Sequence, residues 1–181
     1  MNITTGRFVV PDIVISHFHL RTGDKVADFG AGSGFFASGL SHAVGNEGKV
    51  YLLEIQKNLI EACEEMVRKQ HLSNTEILWC DLEKEGGSKI EDGTLDAGIL
   101  VNTLFQFEDK AVAVNEIVSD LRSGGKLFVV DWSESFGGLG PQVGDVFSAE
   151  QATDLCEAAG LVLETDFDAG DHHYGLAFRK P

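Results

Sequence analysis

Basic residues are scarce in this chain: 14 lysines and arginines stand against 29 aspartates and glutamates, giving a formal net charge of −15. A field of that sign repels phosphate backbones and anionic bilayers, so nucleic acid is not an expected partner. Cysteine is sparse too. Cys63, Cys80 and Cys156 are odd in number, widely spaced and without a CxxC pair. That pattern builds neither a disulfide framework nor a zinc site, so no metal is expected and a reducing cytoplasm is the expected compartment. No apolar run reaches the roughly 18 residues that a membrane span needs. The opening MNITTGRFVVPDIVISHFHL lacks a basic region followed by a continuous apolar stretch, and no signal peptide is expected from it.

What is present describes a globular chain. It has 181 residues, 43% of them hydrophobic and 24% charged, and its mean hydropathy is near zero. Folding at this size buries roughly 70% of the unfolded surface, enough for a real core. There is no internal repeat, low-complexity tract or linker. We therefore read residues 1–181 as one domain, with residues 1–24 as an N-terminal helical cap segment.

Strand and helix patterns alternate along most of the sequence. Ile13, Val14, His17 and Phe18 form one stripe of a short helix started by Pro11. KVADFG (residues 25–30), KVYLLE (49–54), EILWCD (76–81), LDAGILVN (95–102) and KLFVVDW (126–132) read as buried strands. Between them, Phe36, Leu40, Ala43 and Val44 share one helical face, and Leu59, Ile60, Cys63, Met66 and Val67 another. Val114, Ile117, Val118 and Leu121 predict a helix that stops before Gly124 and Gly125. Ser148 with Gln151 three residues on forms a capping-box pattern for a last helix, ended at Gly160. Residues 161–167 and 174–178 are strand candidates separated by DAGDHH, too short for a crossover helix, so they form a hairpin with one antiparallel strand. The expected fold is a Rossmann-like three-layer α/β/α sandwich, with a mostly parallel seven-stranded sheet and an antiparallel strand from the C-terminal hairpin. Residues 133–146, SESFGGLGPQVGDV, are the one long irregular stretch and read as a lid.

The first strand passes into its helix through Asp28-Phe29-Gly30-Ala31-Gly32-Ser33-Gly34. Glycines there permit positive φ and let a ligand approach the backbone. The spacing is GxGxG, and Phe35 occupies the place where a dinucleotide-binding GxGxxG needs its third glycine. Asp28, two residues ahead of Gly30, suits an ammonium better than a pyrophosphate. Glu54 ends the second strand, where a carboxylate can accept both hydroxyl protons of a ribose, and Asp81 ends the third, where it can accept from an adenine amine. Three acids at successive strand ends suit a cationic nucleoside without phosphate, bound in the crevice beyond the carboxyl ends of the strands.

DFGAGSG, the acid of YLLEI, the CD of LWCDL, LDAGILVNTLFQF and LRSGGKLFVVDW follow one another in the order seen in class I S-adenosylmethionine-dependent methyltransferases. The chain resembles their small-molecule branch, similar to the ubiquinone/menaquinone-biosynthesis methyltransferases (methyltransferase type 11/25), from about Val26 to Phe178. The resemblance implies S-adenosyl-L-methionine as cofactor and a small-molecule methyl acceptor. It implies that Gly30, Ala31, Gly32, Gly34 and Phe35 belong to the loop that packs against the methionine part, with Asp28 holding that region. It further implies Glu54 on the ribose, Ile55 flanking the adenine, Asp81 and the Leu82 amide at the adenine edge, and Asn102 and Thr103 facing the ammonium group.

Methyl transfer is an in-line displacement that asks mainly for alignment and desolvation, so no fixed catalytic triad is expected. Asp131, ending the fifth strand, and His172, opening the last, are the candidate proton acceptors. Phe105, Gln106, Phe107 and Trp132 are candidate walls of the acceptor pocket. His17 and His19 are weaker candidates for its cover. The three cysteines prompt comparison with arsenite methyltransferases, but their apolar settings read as buried hydrophobes. Long substrate-cap insertions are lacking, which leaves a small acceptor or a site completed by a second copy of the chain, as in a homodimer. Two alternatives stay open at this point: a non-catalytic module that binds the same cofactor, and an NAD-dependent oxidoreductase, which Phe35 and the terminal hairpin disfavour.

Overall fold

The computed structural model describes residues 9–181; residues 1–8 of the expected cap segment lie outside the described residues. The elements run α1 (Pro11–Ser16), β1 (Lys25–Phe29), α2 (Ala37–Val44), β2 (Lys49–Glu54), α3 (Lys57–Gln70), β3 (Thr75–Trp79) and β4 (Leu95–Val101). A 3-10 turn (Leu104–Gln106), α4 (Lys110–Asp120), β5 (Leu121–Trp132) and a second 3-10 turn (Val143–Asp145) follow, then α5 (Ala149–Ala158), β6 (Val162–Phe167) and β7 (His173–Arg179). Seven strands form one sheet in the order β3-β2-β1-β4-β5-β7-β6. β7 pairs antiparallel with both β5 and β6, and the remaining ladders are parallel.

Successive strand residues alternate between the two faces of the sheet, and the core divides accordingly. Val26, Ile99, Phe128 and Val130 pack with Leu40 of α2 and Cys63 of α3, while Ala27, Phe29, Leu100, Leu127 and Val129 pack with Val114 and Ile117 of α4 and Cys156 of α5. The central strands are apolar on both faces because both are covered by helices. α1 joins the first layer: Phe18, just past its end, stacks on Phe128 at 4.2 Å, and His17 stacks on Phe167 at 5.0 Å.

The capping box at Ser148 and Gln151 forms as its sequence implies. The end of α4 does not follow the glycine rule. The helix stops at Asp120, and Leu121 is already extended and paired with Leu95 of β4. Gly124 and Gly125 lie inside β5 beside a register shift, where Lys180 exchanges backbone hydrogen bonds with both. No glycine cap is needed because the Lys180 ammonium donates to the carbonyls of Val118 at 2.7 Å and Leu121 at 2.6 Å. Those are helix-end carbonyls that otherwise lack partners.

Residues 82–93 carry no regular element and are tied down by α4. Glu116 accepts from the amides of Gly86 and Ser88, both at 2.9 Å, and Asp120 accepts from the Ser88 hydroxyl at 3.0 Å. This fixes the segment that follows β3, at the carboxyl edge of the sheet.

Candidate functional site

The parallel strands β1, β2 and β4 end together, and their ends are stitched to each other. The amides of Gly30 and Ala31 both donate to the Leu53 carbonyl at 2.9 Å, the Cys80 amide donates to that of Glu54 at 3.1 Å, and the Asn102 amide donates to that of Val130 at 2.8 Å. Above these ends lies a cleft of about 430 Å³, within the usual range for small-molecule sites. Its charged lining residues are Asp28, Glu54, Asp81 and Glu83, and no basic side chain lines it among the described residues.

The glycine turn forms its inner wall. Gly30 has φ +81, and a Cβ there would stand 2.5 Å from the Thr103 side chain, so only glycine lets the β4 end close over the turn. Gly32, at φ +58, would meet nothing within 4 Å; the room beside it is cleft. The Gly32 peptide is held on both sides, its N–H donating to Glu54 Oε2 at 2.9 Å and its carbonyl accepting from the Cys63 thiol at 3.1 Å. Gly34 sits behind, against Met66 and Cys63 of α3, and does not line the cleft.

Glu54 is almost wholly buried at the end of β2. Its Oε1 accepts from the amides of Ile55 and Gln56 at 2.8 and 2.9 Å, and with the Gly32 amide on Oε2 the carboxylate is oriented by three backbone donors. Asp28 stands beside it with no such support. Its side chain is buried, no described donor reaches it, and burial followed by the Glu54 charge pushes its pKa up to about 7. Asp81 differs again: it ion-pairs with Lys84 at 2.8 Å, and that bond holds its carboxyl below the usual range. Asn102 sits at φ +53, uncommon for a residue with a side chain, and its Oδ1 is buried without a partner.

Thirteen of the candidate residues meet in this cleft: Asp28, Gly30, Ala31, Gly32, Phe35, Glu54, Ile55, Asp81, Leu82, Asn102, Thr103, Gln106 and Phe107 all line it. Phe35 and Ile55 stand at its mouth, 62% and 54% exposed, an unusual position for large apolar side chains. The remaining candidates lie elsewhere. Asp131 is buried beneath the turn, its oxygens accepting from the Trp132 amide at 2.8 Å and the Phe105 amide at 3.3 Å, and burial pushes its pKa up to about 6. Phe105 and Trp132 are likewise outside the lining; Trp132 packs against His173 at 4.3 Å. His172 stacks on Phe136 at 3.8 Å and bonds Glu134 at 2.7 Å, joining the terminal hairpin to residues 133–146. Neither that stretch nor His17 and His19 line the cleft.

Of the two phenylalanines expected as pocket walls, Phe107 lines the cleft and Phe105 does not; the Phe105 amide, within the 3-10 turn, donates to Asp131. Glu83 and Phe36 are also lining residues that the sequence pattern did not single out as such. Cys63, Cys80 and Cys156 are buried thiols, each pushed upward in pKa by burial. Among the described residues, no cluster of His, Cys, Asp and Glu can hold a metal ion, and no helix is long and apolar enough to cross a membrane.

Comparison with known proteins agrees with this architecture. The ubiquinone/menaquinone biosynthesis C-methyltransferase UbiE of Chromobacterium violaceum is 31% identical over 133 residues, 71% of this chain and 53% of that protein. Its namesake in a Marinomonas species is 27% identical over 156 residues, 86% of this chain and 59% of that protein. The chain thus spans between half and three-fifths of the length of these relatives. A solved S-adenosylmethionine-dependent methyltransferase from Aquifex aeolicus superposes with a TM-score of 0.86 at 26% identity, covering 94% of this chain and 89% of that one. The model of the methyltransferase-domain family matches residues 20–173. With the fold, the strand-end cleft and this match over most of its length, the chain belongs to the methyltransferase-domain family, as a class I, S-adenosylmethionine-dependent member of the UbiE-like branch.

Proposed function

We propose that the chain transfers a methyl group from S-adenosylmethionine to an oxygen, carbon or nitrogen nucleophile of a small molecule. The observation that carries this reading is the chemistry of the cleft lining: acids at three strand ends, a bare glycine backbone, and no basic side chain among the described residues. A pyrophosphate would find no counter-charge there, whereas a ligand with a ribose, an ammonium and a sulfonium meets carboxylates. S-adenosylmethionine supplies the activated methyl, so the protein's part is binding, alignment and exclusion of water.

In this reading Glu54, pre-oriented by three amides, takes the ribose hydroxyls. Ile55 and the Leu82 amide border the adenine, with Asp81 at its edge. Gly30, Ala31 and Gly32 let the methionine part lie against backbone, with Asp28, Asn102 and Thr103 around its ammonium. The acceptor enters between Phe35, Gln106 and Phe107. Asp131 contributes by holding the Phe105 amide, which sets the turn bearing Gln106 and Phe107. Titration calorimetry with S-adenosylhomocysteine and with NAD tests the binding claim; we expect the first to bind and the second not. Methyl-donor consumption with phenols, quinols and amines tests turnover. Tight cofactor binding with no turnover on any acceptor would favour a binding module instead.

A further inference from the structure

Asp28 and Glu54 sit side by side in the cleft under opposite conditions. Three backbone amides donate to the Glu54 carboxylate and orient it. Asp28 is buried at the end of β1 and receives no hydrogen bond from any described residue. Its strand neighbours are Leu52 on β2 and Ile99 on β4, both apolar. The titratable groups that face it are Glu54 from β2 and the Cys63 thiol from α3, and neither supplies positive charge. Two neighbouring carboxyls in a site with no cation among its described lining residues do not both stay ionised, and the unsupported one holds the proton.

We infer that the empty cleft stores a proton on Asp28 and that binding of the cofactor's cationic methionine end expels it, so cofactor affinity falls as pH drops. The ligand's ammonium provides the missing counter-charge, and the Asp28 O–H bond breaks with release of H⁺ to solvent. Burial and the Glu54 charge already place the carboxyl of the ligand-free protein at about 7, so the exchange operates near neutrality. The direction follows from linkage: a site that must lose a proton to bind is weakened by added protons, up to tenfold per pH unit below the group's pKa.

This inference rests on the methyl-donor reading, and one experiment separates the two. Calorimetric titration of the whole chain with S-adenosylhomocysteine at pH 6, in buffers of different ionisation enthalpy, counts the protons exchanged. We expect roughly one proton released per ligand at pH 6 and close to none at pH 8.5. The Asp28→Asn variant should bind without releasing a proton. 5′-Methylthioadenosine, which lacks the ammonium, should release none from the unaltered chain, so the test stands even where the variant fails to fold. Binding of S-adenosylhomocysteine with no proton release at pH 6, or release that persists in Asp28→Asn, overturns the inference. Failure of S-adenosylhomocysteine to bind at any pH overturns the methyl-donor reading itself.

Discussion

Glu54 shows how one side chain ties the fold together while lining the cleft. Its carboxylate closes the end of β2 by binding the amides that begin the approach to α3, and it reaches across to the Gly32 amide of the neighbouring turn. Replacing it with alanine leaves three amides without their acceptor and, on the proposed binding mode, removes the ribose partner. We expect Glu54→Ala to weaken S-adenosylhomocysteine binding by about 1–3 kcal/mol, read by calorimetry. Unchanged affinity in a folded variant would show that the ribose lies elsewhere. Asp28, Glu54 and Asp81 were legible in the sequence because strand ends in an open α/β sheet converge on one crevice. Their different states were not legible. Ile55, Gln56 and, for Asp81, Lys84 lie within three positions of the acid they bind, but the Gly32 amide that completes the Glu54 cradle and the burial that isolates Asp28 come from the folded chain. The sorting of Phe107 from Phe105 is of the same kind, because the 3-10 turn at residues 104–106 decides which of two nearby aromatics faces the cleft.

Elements followed their patterns where local chemistry decided them and departed where a distant residue intervened. The β2 strand and the capped start of α5 are local, since a short apolar run and a Ser-x-x-Gln box need only their neighbours. The end of α4 is not, because its cap is an ammonium from the last strand's extension, about sixty positions away. A glycine pair placed just after the periodic residues looked like a stop and proved to be part of a strand irregularity. Glu116 and Asp120, which the apolar periodicity of the helix does not single out, are both buried and grip the 82–93 segment. Lys180→Met keeps much of the apolar stem and removes the donors. It should cost roughly 1–3 kcal/mol of stability, since helix-end carbonyls lose a charged partner. Urea unfolding followed by circular dichroism measures this, and a midpoint unchanged from the parent chain would refute the capping role.

The acids together give the chain an uncommon response to pH. Burial pushes Asp28 and Asp120 up to about 7 and Asp131 up to about 6, from an ordinary value of 3.8. A carboxyl whose folded pKa exceeds its unfolded one takes up a proton on folding, so stability falls as pH rises through the window between the two values. These three groups therefore favour the fold on acidification from about pH 8 toward pH 5. Relaxed self-repulsion in a chain of net charge −15 acts in the same direction. Glu164, held low by Lys126 and Arg179, and Asp81, held low by Lys84, work the other way: their contribution is lost as pH falls through their depressed values. They are partly exposed pairs, weaker than the buried groups and active only in more acid solution. Melting temperature should accordingly rise by roughly 5 °C between pH 8 and pH 5 and decline below pH 4. Repeating the series in 0.5 M salt screens the long-range repulsion by about the Debye length argument and leaves the buried carboxyls untouched. A rise that survives salt and shrinks in Asp120→Asn assigns it to buried protons, whereas a melting maximum near pH 8 would mean that these carboxyls stay ionised in the fold.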